Sequence, residues 1–383
     1  MYICDKERKD IMNKLFTKER SNLGRQKELD LAKGLAIIFM ILVHVNETYQ
    51  STTIAGGVHN RIIEFLGSPP AAPVFMMLLG VGIVYSKKST AKVMLKRGIS
   101  LIIIGYVLNL FREVIPYAIL SKVNNDVSYM SDGWDLLWNS DILQFAGLVF
   151  IFFSFIKKFK IKNIAIFLIW CGFITLNILL RGKSFDNSVA NGIFRLVWGT
   201  DGSSYFPFLA WITFPILGYF FGQLLVRCTN KTLFYKNLLI ASGAFSIPLW
   251  IYSYVNNVSF GAFGELYQVE YYHHDIMGNI VLCTFVLFWI SLCYFVGKYI
   301  PTMVHKAMAR WSKNTNEMYC VHSVLIGFLM LLIEEESYMS LQILILAVFI
   351  FIFTDLICIY ISNVKVKKRN IKAKENKLET ITA

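Results

Sequence analysis

His44 is one of six histidines in the chain, and it stands within the apolar run that follows Lys33. An ionisable side chain in hydrocarbon costs about 2.5–3.5 kcal/mol on insertion scales, so packing alone rarely retains it. Imidazole is also the side chain best matched to proton transfer near neutral pH. His59 follows in the loop just beyond the run. A histidine so placed can take a proton from an attacking hydroxyl or amine, or carry an acyl group transiently. His59 is the leading candidate for either role; the bland alternative is a solvated loop histidine. His44 is the second base, or the partner that orients the site, against a histidine that simply bonds between helices. Asn46 can donate to an oxygen on which negative charge builds, or it caps the end of a helix.

A second group of residues could meet a polar substrate. Asp132, Trp134 and Asp135 lie in one loop, Asp201 and Tyr205 in another, and Tyr271, Tyr272, His273, His274 and Asp275 form a cluster. Carboxylates bond sugar hydroxyls and indole faces pack on sugar rings, although a tryptophan belt at a membrane surface reads the same way. Adjacent histidines rarely project to one ion, so no metal is expected at His273 and His274. The cysteines, seven in all, contain no C-x-x-C pair and suggest neither zinc nor a disulfide framework.

The elements that position these residues are membrane helices. The 383 residues are 56% hydrophobic and only 16% charged, with mean hydropathy +0.53, whereas soluble domains carry about 25% charge. Ten runs are long and apolar enough for spans: 31–48, 70–86, 97–115, 141–156, 162–180, 205–226, 237–255, 277–297, 316–333 and 339–362. Pro69, Pro70 and Pro73 predict a kink or a partly re-entrant second span. The first 30 residues are charged, so the first run reads as a retained span rather than a cleaved signal. The fold class expected is therefore all-α, a polytopic membrane bundle of about ten transmembrane helices. Residues 1–30 form an N-terminal arm, 31–362 the membrane domain and 363–383 a basic tail.

Charge sets the orientation. The net charge of +13 could suggest nucleic acid, but the basic residues sit in short segments between apolar runs. Segments on one side of the predicted bundle hold 32 of the 38 Lys and Arg, while 15 of the 25 acids lie on the other. The positive-inside rule then places both termini in the cytoplasm and predicts no nucleic-acid partner. The basic ends can touch anionic membrane lipids. No repeat with matching broken spans is visible, which disfavours an inverted-repeat transporter.

Several segments, in order, resemble the heparan-α-glucosaminide N-acetyltransferase-like membrane acyltransferases, with a looser likeness to the acyltransferase-three family. They are ELDLAKGLAI at 28–37, SPPAAPVFMMLLGVG at 68–82, KRG at 96–98, DILQ at 141–144, YFPFLAW at 205–211 and NEMYCVH at 316–322. Lys33 and Phe145 stand where arginine is usual. The resemblance implies acyl transfer from cytoplasmic acetyl-CoA, across the membrane, to a sugar or glycan acceptor. It also implies an active site resembling Asn46 and His59, with a histidine that ends the first span, like His44, in the looser relatives. A homodimer is compatible with the family.

On that reading Lys33, Lys87, Lys88, Lys96 and Arg97 attract the phosphates of the coenzyme, although Asp30 and Lys33 also suit an interfacial ion pair. Gly80 and Gly82 admit a thin pantetheine arm or a neighbouring helix. His322 lies near the coenzyme or bonds between helices. The expectation is a transmembrane, acetyl-CoA-dependent acyltransferase of a bacterial plasma membrane, which modifies cell-surface glycan. The rival is a transporter or lipid-linked sugar flippase.

Overall fold

A computed structural model describes residues 15–54, 56–87, 89–201, 204–256, 271–274 and 276–382. Lys88 and Asp275, together with residues 1–14 of the N-terminal arm, lie outside the described residues. Among the described residues there is no strand, only three isolated bridges. Each of the ten apolar runs forms helix.

The order along the chain is α1 (Lys27–Tyr49), α2 (Val58–Gly67), α3 (Ala72–Tyr85), α4 (Ala91–Asn109), α5 (Ile115–Asn124), α6 (Ser128–Leu137) and α7 (Ile142–Lys158). Then come α8 (Asn163–Leu180), α9 (Ser188–Arg195), α10 (Phe208–Trp211), α11 (Thr213–Leu225), α12 (Lys231–Asn256) and α13 (Ile276–Val296). The last three are α14 (Thr302–Lys313), α15 (Thr315–Leu329) and α16 (Ser340–Thr382).

Six stretches are long and apolar enough by themselves to cross a membrane: Val58–Tyr85, Ala91–Asn124, Asn163–Leu180, Phe208–Leu225, Ile276–Tyr299 and Ser340–Ile371. The remaining expected spans coincide with α1, α7, α12 and α15. Two of these are short, with 17 residues in α7 and 15 in α15.

α1 is apolar on almost every side, the pattern of a helix buried all round. Leu31, Ile37, Ile41, Val45 and Tyr49 are buried along it, and it packs against α2, α3, α13, α14, α15 and α16. Its charged start is held by specific pairs: Asp30 pairs with Arg25, and buried Glu28 pairs with Lys231 at 2.5 Å. The expected Asp30–Lys33 pair does not form, because Arg25 reaches Asp30 from the turn before the helix.

Two local features shape the interior. The expected kink at Pro69 and Pro70 is a break between α2 and α3, with Pro73 in the first turn of α3. Proline supplies no amide hydrogen to an advancing helix, so the chain restarts there. Between α4 and α5 the helix continues through a π-turn, Leu110–Val114. Close backbone contact fixes the packing here. A side chain at Gly327 would collide with the Arg112 carbonyl, and one at Gly80 with the Pro215 carbonyl.

Candidate active site

His44 and His322, on α1 and α15, meet at the centre of the bundle. Their rings stack with centroids 5.1 Å apart, and His44 Nδ1 lies 2.8 Å from His322 Nε2. His322 Nδ1 is 2.9 Å from the Met318 carbonyl oxygen. A carbonyl only accepts, so His322 must carry its proton on Nδ1 and offer a lone pair at Nε2. His44 then donates from Nδ1, which leaves its Nε2 as a lone pair with no hydrogen-bond partner among the described residues. His322 is fully buried; the His44 ring is partly open to a cavity.

Beside the two rings lies an ionic cluster. Arg112, on the π-turn, pairs with Asp141 at 2.7 Å and with its neighbour Glu113 at 3.1 Å. Asp141 also accepts from the Tyr319 hydroxyl. The Tyr319 ring stands edge-on to His44, with centroids 6.5 Å apart. Glu47, one helical turn beyond His44, completes the polar wall.

Three cavities run along this wall and share residues. The first, about 200 Å³ and mostly apolar, is lined by Lys33 and Arg97 at the basic end and by Phe75, Gly82 and Tyr319. The second, about 260 Å³, shares Met40, Phe75, Ile142 and Tyr319 with it and adds His44, Glu47 and Asp141. The third, also about 260 Å³, keeps His44, Glu47 and Asp141 and extends through Arg112 and Tyr205 to Glu335 at the acidic end. His44 thus lies between an apolar passage with a basic mouth and a polar chamber with an acidic one. Glu335 lies in the connection between α15 and α16; partial burial and the neighbouring Glu336 raise its carboxyl above the usual range.

The other residues singled out in the sequence are distributed as follows. Lys33 and Arg97 line the first cavity, and Arg97 lies over the Phe150 ring at 4.4 Å. Lys87 and Lys96 are exposed and line none of the three. Asn46 is buried away from the cavities, and its amide donates to Asn60 at 2.7 Å and Gln50 at 3.0 Å. Both ring nitrogens of His59 are buried with no hydrogen-bond partner among the described residues, and the ring lines none of the three cavities.

Of the residues considered for a polar substrate, Tyr205 lines the third cavity. Asp201 instead pairs with Arg195 at 2.9 Å. Asp132, Trp134 and Asp135 are exposed on α6, outside the cavities. The carbonyl of His273 accepts from Arg181 at 2.7 Å, and His274 is buried against Asn279 at 3.2 Å. Tyr271 and Tyr272, beside these histidines, line the second cavity.

Sequence reasoning did not select Glu47, Arg112, Asp141, Tyr319 or Glu335 as site residues. Asp141 and Tyr319 did fall within two of the motif blocks. Arg112 was visible only as one of six cations on the acid-rich side.

A family model described as an acyltransferase domain, Acyl_transf_3, matches residues 26–363. That is the looser of the two likenesses noted above. No curated protein and no solved structure matches the chain.

Proposed function

The chain belongs to the acyltransferase-three family, and from that premise we propose that it moves an acetyl group from cytoplasmic acetyl-CoA to a sugar or glycan acceptor across the membrane. It is a membrane acyltransferase; donor, acceptor and residue roles are the proposal. The observation that carries it is the His44 ring, whose Nδ1 is engaged by His322 while its Nε2, unpartnered among the described residues, stands beside two adjoining cavities.

The pantetheine arm enters the first cavity, with Lys33 and Arg97 at its mouth meeting phosphate charge. The acceptor occupies the third cavity, where carboxylates and Tyr205 bond its hydroxyls. His44 Nε2 takes the proton of the acceptor hydroxyl or amine as that atom attacks the thioester carbonyl. The carbonyl oxygen gains negative charge, which the nearby Arg112 guanidinium stabilises. The C–S bond then breaks, and the departing thiolate takes the proton back from His44, releasing coenzyme A. The same lone pair can accept the acetyl group first, and trapping label on His44 without acceptor separates the two routes. A narrow passage holds both reactants in register and limits hydrolysis.

The setting proposed is a bacterial plasma membrane. The test uses purified protein in proteoliposomes with labelled acetyl-CoA and a panel of sugars. Expected is release of free coenzyme A that depends on an acceptor, with label on the sugar. His44→Ala should lower turnover by roughly 10²–10⁴-fold, the range of a lost general base, while the protein stays monodisperse. Near-normal turnover in that variant would falsify the assignment, and solute movement without coenzyme A release would favour a transporter.

A further inference from the structure

A fourth cavity, about 260 Å³, opens at the basic end and is lined by Arg20, Lys157, Arg227, Asn163, Gln223 and Tyr219. Three chain segments build it. The stretch before α1 runs beside the end of α11: Thr17 N donates to the Arg227 carbonyl at 3.0 Å, and Thr229 N to the Leu15 carbonyl at 2.9 Å. That pairing brings Arg20 close to Arg227. The last turn of α7 contributes Lys157. At the start of α8, Asn163 exchanges amide hydrogen bonds with Gln223 at 2.8 and 3.2 Å.

The three cations have no carboxylate partner among the described residues. Arg20 donates to the Val84 carbonyl at 2.9 Å, Lys157 donates to the Ser89 carbonyl, and the Arg227 side chain makes no hydrogen bond or ion pair among the described residues. All three are exposed on the lining of this cavity, so an anion seated there meets three positive charges. Arginine forks and a lysine ammonium suit the oxygens of a phosphate.

The position of the cavity narrows the choice. Ile83 lines both this cavity and the first one. The carbonyls that hold Arg20 and Lys157, on Val84 and Ser89, flank the short connection from α3 to α4, and Ser86 and Ser89 in that connection line the first cavity. The cation cavity therefore lies one short loop away from the basic mouth of the apolar passage. A donor whose thin arm fills the passage leaves its charged nucleotide end at that mouth.

We propose that the fourth cavity is a phosphate subsite that takes the 3′-phosphate end of the donor nucleotide. This rests on the reading of the first cavity as the donor passage. A phospholipid headgroup offers the same phosphate chemistry, so the experiment separates the two sources.

Binding of coenzyme A and of 3′-dephospho-coenzyme A is measured on the full-length protein in nanodiscs of neutral lipid. Coenzyme A should bind about tenfold tighter, the gain of one charge-assisted contact set. The double variant Arg20→Gln, Arg227→Gln should lose that preference and keep its affinity for the dephospho form. Equal affinities in the unaltered protein overturn the subsite and leave the donor passage standing. Binding of neither ligand overturns the donor reading and the subsite with it. Loss of both ligands in the double variant contradicts a phosphate-specific role. A thermal shift with phosphatidylglycerol that the double variant abolishes, without any coenzyme preference, assigns the cavity to lipid instead.

Discussion

His322 lines none of the three cavities that share lining residues, yet it decides which nitrogen of His44 faces them. Its Nδ1 is committed to the Met318 carbonyl, so its Nε2 holds the His44 proton at Nδ1. Replacing it by leucine releases that constraint and lets His44 turn or change tautomer. His322→Leu should therefore lower kcat by about 10²-fold or more with little change in KM, as when a base loses the group that orients it. His322→Gln, whose amide oxygen can still accept from Nδ1, should recover part of the loss. Steady-state kinetics across pH are the measurement, and an unchanged kcat in the leucine variant removes the relay. The sequence made His44 and His59 visible as candidates, because an intramembrane imidazole and a nearby loop histidine are conspicuous in a hydropathy pattern. It could not reveal that the partner of His44 lies 278 residues downstream. That pairing depends on two helices meeting at one depth, which no spacing encodes.

At the scale of elements, hydropathy located the helices because each apolar run must leave water as a unit. Their register is set by close contacts between glycine and backbone, which composition does not display. The π-turn Leu110–Val114 is the clearest case. It brings Arg112 to Asp141 while its backbone rests against Gly327, and such turns are frequent at functional sites. In the sequence Arg112 was only a charge near the end of the 97–115 run. Gly80 and Gly82, read together as small residues, separate in the structure. Gly80 packs on the Pro215 carbonyl, whereas nothing lies within 4 Å of a side chain built on Gly82, which lines the first cavity. Gly82→Leu should therefore fold normally and raise the KM for acetyl-CoA by about tenfold, since a leucine takes space that the donor arm needs. Gly80→Leu should instead fail to yield monodisperse protein. Size-exclusion profiles and donor titrations distinguish them, and an unchanged KM in Gly82→Leu would place the donor elsewhere.

For the whole molecule, segregated charge does two jobs. By the predicted span layout, the segments on one side carry 32 of the 38 Lys and Arg, and those on the other 15 of the 25 Asp and Glu. This asymmetry predicts which end faces the cytoplasm; on the proposed function it would also give a polyanionic donor and a polar acceptor different entrances. α16 makes the prediction measurable. Its 43 residues extend about 64 Å at the helical rise, roughly twice the thickness of a hydrocarbon core. The end that includes Lys365, Lys367 and Lys368 must therefore project beyond the bilayer, and the Lys365–Glu317 pair at 2.5 Å ties it to the start of α15. In a cysteine-free background, Glu334→Cys should react with an impermeant maleimide on intact cells. Lys367→Cys should react only after the membrane is opened. The reverse pattern would turn the apolar passage away from cytosolic acetyl-CoA, and the proposed direction of transfer could not hold whatever the two histidines do.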